Sequence, residues 1–189
     1  MHQLKHIIHK EFGFCYGHRV WSQTLDVEYS LDSCLKCRHL HGHEGLVTVR
    51  LGTSFLRNGM VVDFKYLNWF KKWLDDTLDH KFIMDLNDPL LKYEVPIIFD
   101  SLGNVESLAL IKNDLANCYT INPNYFKMET EPALVEKYEG MIFVDFVPTS
   151  EYLSKFLFDV IVQKMKPLDM IVHSVSINET PKSQATYYG

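Results

Sequence analysis

His41-Gly42-His43-Glu44-Gly45-Leu46-Val47-Thr48-Val49-Arg50-Leu51-Gly52-Thr53-Ser54-Phe55 is the stretch that decides the fold, because its odd positions His41, His43, Val47, Val49 and Leu51 make one row. Successive side chains of a strand point to opposite faces, so a strand here carries valine and leucine along one face and ends that face in two imidazoles. Alternate strand positions aim both rings at one ion, and Gly42 between them lets backbone or substrate approach closely. The chain has nine histidines, so the pair alone is a weak signal and packed or exposed histidines explain it equally well.

Toward the N-terminus, Leu4 to Arg19 alternate loosely, with Ile8, Phe12, Phe14 and Tyr16 sharing one parity, which predicts a long strand. His18 has that parity too. A third imidazole near the end of a neighbouring strand completes a three-histidine site with an open fourth position, the pattern of catalytic zinc. Between the strands, Trp21 to Leu40 have no period and read as a loop holding Cys34 and Cys37. Those cysteines support a competing reading, a closed structural knuckle made of Cys34, Cys37, His41 and His43, which makes the protein a metal-stabilised binding module. Under the catalytic reading Cys37, four residues before His41, stands beside a cation that favours its thiolate and serves as a base, with Cys34 a bystander.

Toward the C-terminus, an Asn58-Gly59 turn leads to strand-like Met60 to Val62, and Asp63 is placed to cap a helix with the apolar stripe Phe64, Leu67, Phe70, Leu74 and Leu78. That helix delivers Asp79 and His80, a carboxylate and an imidazole able to relay a proton, although helix-end charge explains them as simply. From Lys81 to Gly140 short apolar runs alternate with turn residues. Order returns with a strand over Met141 to Val147. Pro148-Thr149-Ser150-Glu151 then opens a helix with apolar Leu153, Phe156, Leu157, Val160 and Ile161, where Glu151 complements the helix dipole. A final strand, Met170 to Glu179, sets Ile171, Val175, Ile177 and Glu179 on one face. Its terminal carboxylate is either a solvated strand-end acid or a grip for the guanidine-like N–H pair of a pterin or guanine ring.

A chain of 189 residues, 47% hydrophobic, fits a single domain, and a net charge of -5 without a Lys/Arg cluster argues against nucleic acid as a partner. Met1-His2-Gln3-Leu4-Lys5-His6 lacks the apolar stretch of a secretory signal, and no apolar run approaches the roughly 18 residues of a membrane span. We therefore expect no membrane partner and a cytoplasmic location. Four cysteines are too few for a disulfide scaffold of this length.

Taken in order, Phe14-x-x-x-His18, Cys37-x-x-x-His41-Gly42-His43, Gly59-Met60-Val61-Val62-Asp63-Phe64, Leu78-Asp79-His80, Pro148-Thr149-Ser150-Glu151 and Glu179-Thr180 resemble the 6-pyruvoyl-tetrahydropterin synthase superfamily. The three-residue gap between Cys37 and His41 is similar to its 6-carboxy-tetrahydropterin synthase branch, whereas the pyruvoyl-forming branch usually has a longer gap. The resemblance implies an α+β tunnelling fold: a four-stranded antiparallel sheet with two helices on one face, assembled as a homohexamer of two stacked trimers with active sites between subunits. It implies conversion of 7,8-dihydroneopterin triphosphate to 6-carboxytetrahydropterin, acetaldehyde and triphosphate on the route to queuosine-type deazapurines. The implied roles are zinc on His18, His41 and His43, Cys37 as base, Asp79 and His80 as proton relay, and Glu179 with nearby Glu151 on the pterin. The alternative within the family is pyruvoyl-tetrahydropterin synthase, which keeps the zinc and the thiol but leaves the side-chain carbon bond intact.

Three features depart from the family pattern. The connection from Asp88 to Pro148 is long, which predicts a folded insertion over about 93–138 within one domain spanning 1–189. The chain ends Tyr187-Tyr188-Gly189 where the family often has a basic residue before the glycine, so triphosphate contacts do not carry over. Cys34 supplies the knuckle alternative.

Overall fold

The computed structural model describes residues 4–126, 130–168 and 170–189. The expectations that touch 1–3, 127–129 and 169, namely the N-terminal reading and part of the 93–138 segment, lie outside the described residues. Among the described residues, eight strands and four α-helices form two compact units, and β1 (His6–His18) and β2 (His41–Thr53) run from one into the other.

The first unit comprises the chain up to Cys15, His43–Asp79 and Ser150–Gly189. It holds the ladder β1-β2-β7-β8, where β7 is Ile171–Thr180 and β8 is Ser183–Tyr188. Alternation decides its inner face, with Phe12, Phe14, Val47, Val49, Leu51, Val175 and Ile177 all buried. Two helices cover that face: α1 (Asn68–Thr77), whose Phe70 ring meets Phe12 edge-on at 5.1 Å, and α4 (Ser150–Met165), which packs on β7 and β8. The helices meet through Trp73 and Phe156. Asp63 caps as expected, its carboxylate accepting from the Lys65 amide, but it opens a 3-10 turn, Phe64–Leu67, that precedes α1.

Several expectations are corrected here. Met60 to Val62 are not a strand. Arg57 and Met60 exchange backbone hydrogen bonds across Asn58 (φ 52°) and Gly59 (φ 78°), a tight turn whose two positive φ values explain the Asn-Gly pair. Phe64 is 49% exposed because the 3-10 turn shifts it off the stripe that Leu67, Phe70, Leu74 and Leu78 bury. Ile171 is 51% exposed because a register shift in the β2–β7 ladder pairs Arg50 with Ser174 and Leu51 with Val172, which reverses the parity and turns Val172 inward. The strand β8 was not anticipated from the sequence.

The second unit comprises Tyr16–Gly42 and His80–Thr149. Its ladder is β4-β5-β6-β3-β1, with β3 Lys81–Asp85, β4 Leu110–Lys112, β5 Cys118–Ile121 and β6 Met141–Val144. The β1–β3 and β3–β6 pairings are parallel, and the β5–β6 and β4–β5 pairings antiparallel. The α+β class holds, but the sheet formed by the described residues has eight strands in mixed pairings, of which the expected four-stranded arrangement corresponds only to the ladder β1-β2-β7-β8. The strand expected over Met141 to Val147 is present as β6, Met141–Val144, whereas β3, β4 and β5 are three to five residues long, too short to show a period of their own. The segment after β3 folds as the short helices α2 (Leu91–Glu94) and α3 (Pro132–Glu139) with β4 and β5. Leu91, Val95, Ile98, Ala109, Ile121 and Tyr138 share a core with Met84, Met141 and Phe143. No helix among the described residues is long and apolar enough to cross a membrane.

Candidate metal centre and active site

His18 ends β1 and His41 begins β2, as the parity of each strand requires. Each of His18, His41 and His43 offers a ring nitrogen, and these three atoms all lie within 4.8 Å of one another. His18 is buried, its ring 4.5 Å from that of His41 and 5.3 Å edge-on from that of Tyr16. Gly42 permits the approach, since a Cβ there would stand 3.0 Å from the Tyr16 carbonyl oxygen.

Backbone carbonyls orient two of the rings. His18 Nδ1 lies 2.5 Å from the Pro148 oxygen, and His41 Nδ1 lies 2.8 Å from the His39 oxygen. A carbonyl oxygen only accepts, so Nδ1 carries the proton and the neutral ring keeps its lone pair on Nε2, the nitrogen that ligates a metal. Pro148 is set for this by the Thr149 amide, which donates to the Val147 oxygen at 2.7 Å in a tight turn around it just before α4 begins. The donor set therefore fits a divalent cation such as zinc: three imidazoles, two of them with fixed tautomers, and a fourth coordination position left for another ligand.

Cys34 and Cys37 are exposed and take no part in this group, which is the one set of three or more metal-binding side chains found among the described residues. The Cys2His2 knuckle is thus not formed, because His41 turns its ring to His18 on the neighbouring strand. Cys37 lies in a 3-10 turn, Lys36–Arg38, and its carbonyl oxygen accepts from the Val20 amide at 2.7 Å, two residues beyond His18.

Asp79 and His80 follow α1 as expected. Asp79 Oδ1 accepts from the Cys15 amide at 2.7 Å, and His80 has φ 57°, a left-handed conformation that non-glycine residues rarely hold outside turns and functional sites. Glu151 is exposed in the first turn of α4. Glu179 is half-buried and sits at a register irregularity between β7 and β8, where a bulge re-aims a side chain. Sequence reasoning missed the Pro148 and His39 carbonyls. Backbone oxygens carry no residue signature, although the Pro148-Thr149-Ser150-Glu151 motif marked the place.

The model of the 6-pyruvoyl tetrahydropterin synthase family matches residues 7–189. The 6-carboxy-5,6,7,8-tetrahydropterin synthase of Aquifex aeolicus is 30% identical over 196 residues, covering 97% of this chain and 98% of that protein. A crystal structure of an uncharacterised protein from Wolinella succinogenes is 44% identical, with a TM-score of 0.89 over 97% of each chain. The 6-pyruvoyl tetrahydropterin synthase of Caenorhabditis elegans shares the fold at 23% identity and a TM-score of 0.52, over 97% of this chain and 94% of that one.

Proposed function

Because the chain belongs to the 6-pyruvoyl tetrahydropterin synthase family, we propose that it is a 6-carboxy-5,6,7,8-tetrahydropterin synthase, a lyase that converts 7,8-dihydroneopterin triphosphate and water to 6-carboxytetrahydropterin, acetaldehyde and triphosphate. The observation that carries this reading is the convergence of His18, His41 and His43, with Pro148 and His39 carbonyls holding two of the rings. Zinc bound there would polarise the side-chain oxygens of the substrate. Cys37 acts as the base that removes a proton from the substrate side chain, and Asp79 with His80 carries protons to and from the reacting carbons. Glu179 accepts the paired N–H groups of the pterin ring, with Glu151 nearby. In this reading the product feeds queuosine-type deazapurine synthesis in the cytoplasm, and the working form is a hexamer of two stacked trimers.

The test is mass spectrometry of the products after incubating zinc-loaded protein with dihydroneopterin triphosphate, with Cys37→Ala as control. Carboxytetrahydropterin with acetaldehyde, lost in the variant, is the expected result. Pyruvoyl-tetrahydropterin would move the protein to the sister activity, and unchanged substrate would overturn the enzyme reading.

A further inference from the structure

Two buried carboxylates on the floor of the second unit reach the segment that leaves His18. Asp85, 2% exposed at the end of β3, spends Oδ1 on the Asn87 backbone and side-chain amides, and its Oδ2 accepts from Trp21 Nε1 at 2.9 Å. Asp88, 4% exposed, spends Oδ1 on the Leu90 amide, and its Oδ2 lies 3.0 Å from Arg19 Nε. That approach falls outside hydrogen-bond geometry, so the second contact is an ion pair. Arg19 and Trp21 are thereby pinned on either side of Val20, and the Val20 amide is the donor to the Cys37 carbonyl.

The other backbone bonds of this loop, Gln23 to Val20, Tyr29 and Ser30 to Asp26, Arg38 to Leu35 and His39 to Lys36, all close local turns, so the Val20 amide is the long-range backbone tie of the Cys37 turn. Between Trp21 and Leu40 regular structure is confined to the turn Lys36–Arg38. The anchors themselves are rigid, since Asp85 pairs with Val144 in the β3–β6 ladder and the next amide, Leu86, donates to the Val144 oxygen at 2.8 Å.

We propose that Asp85 and Asp88 are positioning residues for Cys37: by holding Trp21 and Arg19 they fix the Val20 amide, and through it the turn that carries the thiol. The proposal rests on Cys37 being the base of the reaction above. A base displaced by a fraction of an ångström to an ångström loses rate while substrate binding persists.

The experiment compares zinc-loaded wild type, Trp21→Phe, which removes the indole N–H while keeping an aromatic ring, and Asp88→Asn, which removes the charge but keeps an acceptor for Leu90. Two quantities are read. One is the rate at which iodoacetamide modifies Cys37, resolved from Cys34 by fragment-ion sequencing and referred to Cys15, which is exposed in the other unit. The other is kcat and KM with dihydroneopterin triphosphate. The expected result is unchanged zinc content and Cys15 rate, a Cys37 rate altered several-fold, and kcat lowered on the order of tenfold with KM little changed. If Asp88→Asn fails to fold, Trp21→Phe carries the test. Cys37 modification and kcat indistinguishable from wild type would overturn the proposal. If the wild type forms no product yet the variants still change Cys37 modification, the anchoring stands and the reaction assignment falls. If product forms and Cys37 modification does not change, the reverse holds.

Discussion

At the scale of the residue, His18 decides which zinc reading survives. Removing a ligand from a three-imidazole site leaves two donors, whereas Cys34 contributes none. His18→Ala is therefore expected to lose its zinc on dialysis, by metal analysis, while Cys34→Ala keeps one equivalent per chain; the opposite pattern would restore the knuckle. A second residue carries its own pH signature. Cys118, buried in β5, has its thiol pushed up from the ordinary 9.0 to about 12 by burial. Burial favours the neutral thiol, so its stabilising share is whole below pH 9 and disappears as pH rises toward 12. Over that window the unfolded chain gives up a proton that the folded chain keeps, and stability falls by up to about 1.4 kcal/mol per pH unit from this group. Urea unfolding of wild type and Cys118→Ala should show a difference that shrinks with increasing pH above 9, and Cys118 should resist alkylation that modifies Cys15, Cys34 and Cys37. The residue types and their parity were readable in the chain, which is why His18, His41 and His43 could be named. The carbonyls of Pro148 and His39 were not, since every residue has one.

At the scale of the element, α1 shows how local pattern and tertiary contact divide the work. Its stripe of Phe70 and Leu74 was visible as a helical period, and both side chains are fully buried. Phe70 touches Phe12 of β1 and Trp69 and Trp73 of its own helix. Phe70→Ala should cost about 3–5 kcal/mol in chemical denaturation, the range for removing a buried ring without full collapse of the cavity. Asp63→Ala, which loses only the acceptor for the Lys65 amide, should cost about 1 kcal/mol. Equal effects would mean that α1 is held by its cap rather than by its packing. Phe64 failed as a member of the stripe because the first turn is 3-10, a choice between two helical geometries that hydrophobic spacing does not record. Ile171 failed because one register shift in β7 inverts every side chain beyond it.

At the scale of the whole molecule, two units share β1 and β2, and the family membership extends over both. The relative from Aquifex aeolicus is matched along nearly its full length, so the long segment after β3 is no obstacle to alignment with a tetrahydropterin synthase. Light scattering coupled to size exclusion should give a mass of six 22.1 kDa chains if the proposed hexamer is the working form. A monomeric mass for a product-forming enzyme would show that this chain completes its site alone.

The sequence by itself determined the α+β class, the long strands β1 and β2, the helices that open after Asp63 and Pro148, and the three imidazoles. Each of these is a local period or a short motif, and a period of two or 3.6 residues is written into neighbouring positions. Only the tertiary structure decided that the sheet of the described residues has eight strands rather than four, that Cys34 and Cys37 stay out of the histidine group, and that Asp85 and Asp88 reach Trp21 and Arg19 from more than sixty residues away. Parallel pairing, register shifts and buried ion pairs depend on which distant segments meet, and strands of three to five residues are too short for an alternation to announce them.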